Sequence, residues 1–373
     1  MSRSLSSIFI VCVLICVSAG IYAQDPEKTD SLLENYFASL PNDTNKVNQL
    51  YKSGFDLRTK DINAAFKYAA ACMLTAKECK SDKHLAKANN LLGVLNFRTG
   101  KLDKALQYHT AALSLREKIK DEEGIAFSKL NIANIYSDQN LKQKAEALYL
   151  EAMQLFNKVG NKKLLANTLN NIGIIQFEKK AYKTAENYFR QALKIGEELN
   201  DYELKAFTYN NLGTVYENLK DFVNAKIYFE EALELRELMG NEIEQVDTYI
   251  NIASTSFELK NYKQSKEFLF KALQISNTNE YSEGNLSIYN FLKDIYIVEN
   301  KYDSALYYQT KYYELKESLL ANSDMENDVP QKEFIIDDSE NRELKKENHL
   351  LKYLIGVLAV FLVILFVALK RLK

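Results

Sequence analysis

A four-residue motif returns every forty residues along most of this chain of 373 residues. Its clearest copies are Asn170-Asn171-Ile172-Gly173, Asn210-Asn211-Leu212-Gly213 and Ile250-Asn251-Ile252-Ala253. The spacing has no slip, so equivalent residues form columns that can be followed from copy to copy. One column holds alanine at six of its seven positions: Ala65, Ala105, Ala145, Ala185, Ala225, Ser265 and Ala305. A fixed period of this length predicts stacked copies of one supersecondary unit rather than a single compact core.

Each unit is predicted to be a pair of antiparallel helices. The chain has only 12 glycines and 3 prolines, and residues 42–329 contain no proline, as expected of unbroken helices. Small residues recur where two helices cross closely, and another column supplies the large side chains between them. Its members are Tyr68, Tyr108, Leu148, Tyr188, Tyr228, Phe268 and Tyr308. The pairs Gly160-Asn161, Asn200-Asp201 and Gly240-Asn241 each combine a left-handed helix stop with the cap of the next helix.

The columns around Gly213 resemble the tetratricopeptide repeat. Tyr216 follows three residues after the Leu-Gly pair, and Ala225, Phe229 and Ala232 supply the alanine, aromatic and second alanine of that pattern. The resemblance covers residues 46–325 as seven units: 46–85, 86–125, 126–165, 166–205, 206–245, 246–285 and 286–325. It implies an all-α fold, a right-handed superhelical α-solenoid of seven helix-turn-helix repeats. The forty-residue spacing is similar to the longer-helix subclass found in kinesin light chains and in bacterial peptide-responsive regulators.

The resemblance also implies a groove lined by the first helix of each unit, with a row of asparagines that binds an extended peptide backbone. In this chain the row, called here the asparagine ladder, is Asn131, Asn171, Asn211 and Asn251. An amide offers both a donor and an acceptor, which suits a peptide of any sequence. The other interpretation is that the ladder ties neighbouring helices together. The neighbouring column lacks the lysines of chaperone-binding members, so a chaperone-tail clamp is disfavoured.

Composition and motifs argue against several functions. The 48 Lys and Arg residues balance 50 Asp and Glu residues, and no basic block occurs, so nucleic acid is not an expected partner. No metal-ligand spacing, phosphate loop or nucleophile motif is present, so we expect no catalytic residues, metal or cofactor. His109 lies in a large inter-helix column and is interpreted as packing. Cys72 is interpreted as a small core residue.

The two ends of the chain predict export and membrane anchoring. Residues 1–23 have the three-part pattern of a secretory signal, and an N-terminal extension, 24–45, precedes the repeats. An acidic linker, 326–342, and a charged juxtamembrane helix, 343–352, follow them. Residues 353–369 are uncharged and long enough to span a bilayer as a transmembrane helix, leaving 370–373 as a cytoplasmic tail. Leucines every seven residues from Leu344 predict a coiled coil and a homodimer through the juxtamembrane helix.

These features predict a single-pass protein of the bacterial cytoplasmic (inner) membrane whose repeats lie outside the cytoplasm, in the periplasm. The expected function is a scaffold or adaptor that binds protein or peptide partners in its groove. The arrangement of signal, repeats and span also resembles the sensory half of bacterial transmembrane histidine kinases and helix-turn-helix regulators. The alternative function is therefore a ligand-sensing input module of a signal-transduction system.

Overall fold

The computed structural model describes residues 40–327, which form fourteen α-helices and no strand. The helices are α1 Thr44–Leu57, α2 Ile62–Glu78, α3 Asp82–Arg98, α4 Leu102–Lys118, α5 Glu122–Asp138, α6 Lys142–Val159, α7 Lys162–Glu178, α8 Tyr182–Leu199, α9 Tyr202–Asn218, α10 Phe222–Met239, α11 Glu242–Glu258, α12 Tyr262–Thr278, α13 Ser282–Val298 and α14 Tyr302–Asn327. Odd-numbered helices are the first helices of the seven pairs, and even-numbered helices are the second. The helix pairs from α3 onward begin about four residues before the forty-residue units read from the sequence.

Helices end at residues in the left-handed backbone conformation, placed every twenty residues from Lys80 to Asn300. Only three of these twelve residues are glycines, and the others include lysine and asparagine. The predicted helix stops are confirmed, because Gly160, Asn200 and Gly240 have φ values of 77°, 50° and 71°. The predicted caps are confirmed at Asn161 and Asp201, which accept hydrogen bonds from the backbone N–H groups of Leu164 and Leu204, whereas the cap predicted at Asn241 is wrong, because that side chain accepts no such bond. Each turn therefore closes one helix and opens the next within about three residues.

The helices contact only their near neighbours along the chain, which confirms the predicted repeat solenoid. Each helix packs on the one before it and the one after it. The closest contacts between equivalent helices of consecutive repeats are made by first helices, as between α1 and α3, α7 and α9, or α11 and α13. The first helices therefore form the inner layer of the array, and the second helices form the outer layer.

The core lies between the two layers and is built from the small-residue columns. Ala105, Ala145, Ala185 and Ala225 are fully buried, as is Ser265, whose hydroxyl donates to the carbonyl oxygen of Ala253 at 2.7 Å. Where the first helix has a glycine, an aromatic ring of the second helix lies against its backbone. A Cβ atom at Gly173 would stand 2.5 Å from the ring of Phe189, and one at Gly213 would stand 2.6 Å from the ring of Phe229. The glycines thus allow the two helices of a repeat to pack directly on a ring.

His109 occupies the position of these phenylalanines in the second repeat, as its assignment to packing predicted. A Cβ atom at Gly93 would stand 2.6 Å from its imidazole ring, and His109 is only 2 % exposed. Its Nδ1 atom is buried without a hydrogen-bond partner. Burial and, to a smaller extent, the nearby Arg116 charge together lower the pKa of His109 to about 4. The folded protein therefore holds this ring in its neutral form.

Two buried arginines join consecutive repeats, which the sequence analysis did not predict. Arg116 donates to the carbonyl oxygen of Gly124 at 3.0 Å and to the hydroxyl of Ser128 at 2.6 Å. Arg236 makes the same contacts to Glu244 and Thr248, two residues of the following first helix. Burial lowers the pKa of both guanidinium groups. The contacts satisfy backbone and hydroxyl acceptors at the start of the next repeat.

Within residues 40–327, no helix is both long and apolar enough to cross a bilayer. The signal sequence predicted at 1–23 lies outside this range, as does most of the extension at 24–45. The linker at 326–342, apart from its first two residues, the juxtamembrane helix at 343–352, the transmembrane helix at 353–369 and the tail at 370–373 also lie outside it. They stay predictions from the sequence.

We predict that the His109→Phe variant is less sensitive to acid than the natural protein. His109 binds a proton near pH 6.5 when unfolded but only near pH 4 when folded, so stability falls as the pH drops through this interval. The free energy of unfolding should lose up to about 3 kcal/mol from this group between pH 7 and pH 4. Phenylalanine should remove that loss, because Phe189 and Phe229 already fit beneath a glycine.

The measurement is urea unfolding of both proteins at several pH values, with His84→Gln as the control because His84 is partly exposed. The difference between His109→Phe and the natural protein should grow below pH 6.5. A difference that does not change with pH would show that His109 is not the group responsible.

Candidate functional site

The exposed face of the first helices is the candidate site. On α9 this face consists of Phe207, Asn210, Asn211, Thr214 and Glu217, which are exposed or part-buried. Phe207 is 43 % exposed and gives this face a large apolar side chain. Because first helices of consecutive repeats lie side by side, equivalent residues form rows across them. The result is a continuous surface on the inner layer, called here the groove.

Two members of the asparagine ladder are hydrogen-bonded in the same way. The amide nitrogen of Asn131 donates to the amide oxygen of Asn90 at 3.0 Å, and that of Asn251 donates to Asn210 at 3.0 Å. Each bond runs from a first helix to the first helix of the preceding repeat. These two asparagines therefore tie neighbouring repeats together, as the second interpretation of the ladder predicted.

Asn171 also donates to the preceding first helix, but to a different position. Its amide nitrogen lies 3.2 Å from the amide oxygen of Asn134. The hydroxyl of Tyr149 donates to the same oxygen at 2.7 Å. Burial raises the pKa of Tyr149, so this phenol stays protonated and remains a donor. The three side chains connect α5, α6 and α7.

Asn211, the third member of the ladder in chain order, differs from the other three. Its amide nitrogen is buried and has no hydrogen-bond partner among the described residues. A buried amide donor left without a partner costs roughly 1–3 kcal/mol. The side chain as a whole is only part-buried. This donor is in the middle of the groove, in the fifth of the seven repeats.

Further polar contacts run along the same seam of first helices. The amide nitrogen of Asn170 donates to the hydroxyl of Thr208 at 2.9 Å, and the hydroxyl of Ser254 donates to the carboxylate of Glu217 at 2.6 Å. Burial raises the pKa of Glu217, and the nearby Glu258 charge raises it as well. The middle of the groove thus presents amides, hydroxyls and a carboxyl group whose charge is disfavoured.

This arrangement is suited to hydrogen bonding rather than to acid–base or metal chemistry. An asparagine amide has two N–H donors and an acceptor oxygen, so an asparagine that donates once to its neighbour keeps further capacity. No group of three or more His, Cys, Asp or Glu side chains within residues 40–327 could hold a metal ion. An extended backbone, with alternating donors and acceptors, is the ligand that a row of amides matches.

Sequence reasoning found the ladder but missed most of its partners. Asn90, Asn134 and Asn210 accept from it, and Thr208 pairs with Asn170. The forty-residue column containing Asn90, Asn170 and Asn210 was a usable signal, because three of its five members from position 90 to position 250 are amides and the other two are Leu130 and Ile250. No column indicated Asn134, whose equivalents are Val94, Ile174, Thr214 and Ser254.

Comparison with protein-family models identifies the family to which the repeats belong. A tetratricopeptide repeat model matches residues 84–158, 124–198 and 164–238, and a second tetratricopeptide repeat model matches residues 246–279. Together these segments cover just over half of the chain. The chain belongs to the tetratricopeptide repeat family. No curated protein matches it in sequence.

Solved tetratricopeptide repeat structures share its fold. The Signal Transduction ATPase with Numerous Domains protein with a tetratricopeptide repeat sensor from Pyrococcus horikoshii is 17% identical, with a TM-score of 0.62 over 86% of this chain and 49% of that one. The apo form of RapI is 14% identical, with a TM-score of 0.59 over 74% of this chain and 99% of that one. A Rap protein complexed with competence and sporulation factor is 14% identical, with a TM-score of 0.53 over 84% of this chain and 98% of that one. At these identities the likeness concerns the fold.

We predict that Asn251→Ala and Asn211→Ala differ in their effect on stability. Asn251→Ala removes the bond to Asn210 and leaves its oxygen without this donor, so the free energy of unfolding should fall by about 1 kcal/mol. Asn211→Ala removes a buried amide nitrogen that has no partner among the described residues, and with it the cost of burying that donor, so the free energy of unfolding should not fall and should rise by up to about 1 kcal/mol.

Urea unfolding of the two variants alongside the natural protein measures this difference. Both substitutions remove the same atoms from equivalent positions forty residues apart, so each serves as the control for the other. Equal losses would mean that Asn211 also holds repeats together.

Proposed function

We propose that this protein is a scaffold that holds an extended peptide, or an extended segment of a partner protein, in the groove formed by its first helices. Tetratricopeptide repeat arrays are suited to binding proteins, and the chain belongs to that family. We further propose that the asparagine ladder contacts the backbone of the bound segment and that the role is binding rather than catalysis. The partner would then be chosen by side chains around the ladder.

The unpartnered amide of Asn211 carries this proposal. The other ladder amides donate within the array, whereas the donor of Asn211 has no acceptor. Rotation of the part-buried Asn211 side chain would bring this nitrogen to a carbonyl oxygen of a bound backbone, which would supply that acceptor. Phe207 adds an exposed apolar surface on the same helix, and Thr214 adds a hydroxyl one turn further on. These groups favour a peptide ligand that combines backbone hydrogen bonding with apolar contact.

We predict that Asn211→Ala weakens peptide binding without unfolding the array. The probe is a set of soluble peptides enriched on the full-length protein from a random twelve-residue library, labelled for fluorescence polarisation. Loss of one hydrogen bond to the backbone should raise the Kd about five- to ten-fold. Val223→Ala is the matched control, because Val223 is 60 % exposed on the outer helix α10.

If binding is unchanged in Asn211→Ala but weakened by substitutions on the outer helices, the groove is not the peptide-binding site. Failure to enrich any peptide would count against the extended-peptide ligand itself. Circular dichroism of each variant keeps loss of binding separate from loss of fold.

We also propose that the scaffold is anchored to the bacterial cytoplasmic membrane by residues 353–369, with the repeats outside the cytoplasm. The supporting observations are the secretory signal pattern at 1–23 and the uncharged stretch at 353–369. The protein has near-equal numbers of acidic and basic residues, 50 and 48. This balance suits a protein that binds its partner through local contacts rather than through a long-range electrostatic field.

We predict that the full chain stays in the membrane fraction after alkaline carbonate washing. A variant in which Leu358, Leu362 and Leu365 are replaced by lysine should be released, because lysine near the middle of a bilayer costs several kcal/mol. A membrane-impermeant maleimide should label Cys79, which is partly exposed, in intact spheroplasts. Replacing Cys79 by serine controls for labelling elsewhere. Labelling only after the membrane is broken would place the repeats in the cytoplasm.

A second candidate function is a ligand-sensing input module of a signal-transduction system. The observation that favours it is the shared fold with a tetratricopeptide repeat sensor and with a Rap protein complexed with competence and sporulation factor. Such a module would have to change shape when its ligand binds. A peptide that binds the groove and leaves the spacing of the repeats unchanged would favour the scaffold.

A further inference from the structure

The last helix of the array carries an exposed apolar stripe. Tyr302, Leu306, Tyr313 and Leu320 of α14 are 64 %, 63 %, 53 % and 58 % exposed. At about 100° per residue they lie within about 40° of one another around the helix axis. We name these four residues the terminal stripe. Among the described residues, no other helix carries four exposed large apolar side chains.

The preceding repeats show that this face is normally covered. The position of Tyr313 is held by Leu193 and Leu233 in earlier repeats, and each of these is only 9 % exposed. Leu233 packs in one cluster with Val246 and Tyr249 of the next first helix, α11. Tyr313, in the middle of the terminal stripe, therefore stands where the first helix of a further repeat would pack.

The last helix is also longer than the others. It has 26 residues, whereas α2 to α13 have 17 or 18, and it continues past residue 320, where a left-handed residue would be expected from the twenty-residue spacing. Its length is about 39 Å at 1.5 Å per residue. The apolar stripe continues onto this extra length through Leu320. The end of the array is therefore an extended helix rather than a closing turn.

The other end of the array is polar. Lys52 of α1 occupies the column of Leu92, Ile172 and Leu212, which are buried in later repeats, and Lys52 is exposed. Asn48 occupies the column of the buried Thr168 and Thr208 and is also exposed. Stacking α1 of one chain on α14 of another would bury an unpaired ammonium group, which costs several kcal/mol. Head-to-tail association of copies is therefore disfavoured.

We propose that the terminal stripe is a dimer interface, in which α14 packs antiparallel on α14 of a second copy of this chain. Leu306 and Leu320 each lie seven residues from Tyr313, so a two-fold axis at Tyr313 places Leu306 on Leu320 of the partner subunit. The same arrangement places Lys316 beside Thr310 of the partner subunit. A parallel pair would instead place Lys316 on the partner's Lys316, and like charges there repel.

The size of the surface suits a dimer. With the flanking Gln309, Lys316 and Glu317, antiparallel pairing would remove roughly 1,000–1,200 Å² from water in total, which clears the roughly 1,000 Å² expected of a biological interface. An isologous contact of this kind closes on itself and does not propagate. It leaves the first helices and the groove free, so this inference does not depend on the proposed peptide binding.

The test is oxidative cross-linking of the full-length protein carrying Tyr313→Cys in a Cys79→Ser background. Val223→Cys is the matched control, since Val223 is 60 % exposed on another second helix. We expect a disulfide-linked dimer from position 313 and none from position 223 or from the Cys79→Ser parent. No dimer from 313, or an equal yield from 223, would overturn the proposal. A residue-313 thiol that neither cross-links nor reacts with maleimide would also overturn it, because another segment would then cover the stripe.

Two further sets of variants test whether the terminal stripe forms the interface and whether the two α14 helices run antiparallel. Adding Leu306→Glu to Tyr313→Cys should reduce the dimer yield at least five-fold, whereas Leu238→Glu, at a residue 68 % exposed on α10, should not. Chains carrying Leu306→Cys should cross-link to chains carrying Leu320→Cys more strongly than to themselves. Undiminished dimer in the glutamate variant, or stronger like-with-like cross-linking, would contradict the antiparallel pair. Unchanged circular dichroism of each variant shows that folding is not the cause.

Discussion

The close approach of the two helices within each repeat governs the rest of the structure. That approach requires a glycine or alanine on the first helix wherever a large side chain of the second helix lies beneath it. At Gly173 and Gly213 even a single added carbon would stand within 2.6 Å of a phenyl ring. Where the residue below is Tyr149 or Leu269 instead, the first helix carries Ala133 or Ala253. The two columns therefore vary together, and their combined volume sets the distance between layers.

The features that repeat in every unit could be predicted from the sequence. Helix pairs, turns and buried alanines each arise from a local residue preference or from a forty-residue column. The same residue pattern recurs in the seven repeats, so the sequence contains the evidence for each feature several times. The hydrogen bonds between first helices could not be predicted, because they depend on how far one helix is displaced along its neighbour. Asn131 donates to a residue forty-one positions away, whereas Asn171 donates to one thirty-seven away. These two separations between donor and acceptor follow from helix packing. They cannot be predicted from the residue type or the column position of either asparagine.

Arg116 and Arg236 illustrate a second limit. Arginine is normally a surface residue. The other members of this column include Phe156 and Gly196, so the column did not predict whether the arginines are buried or exposed. The structure explains why both guanidinium groups are buried. Each donates to a backbone carbonyl oxygen and to a hydroxyl group in the first half of the next helix. Ser128 and Thr248 supply those hydroxyls. His109 was easier to assign, because the rest of its column is mainly large and apolar.

Contacts that reach only neighbouring helices give the array elastic behaviour. Seven repeats meet at six boundaries, and a small rotation at each boundary adds to the next, so the two ends of the inner layer can approach or separate while every helix keeps its shape. The asparagine bonds between first helices cross those boundaries on the inner side, where such rotation changes the spacing. They act as restraints on bending, and at the boundary between α7 and α9, where the amide nitrogen of Asn211 has no partner among the described residues, the bond between Asn170 and Thr208 takes their place. The side chains that restrain bending therefore differ from one boundary to the next.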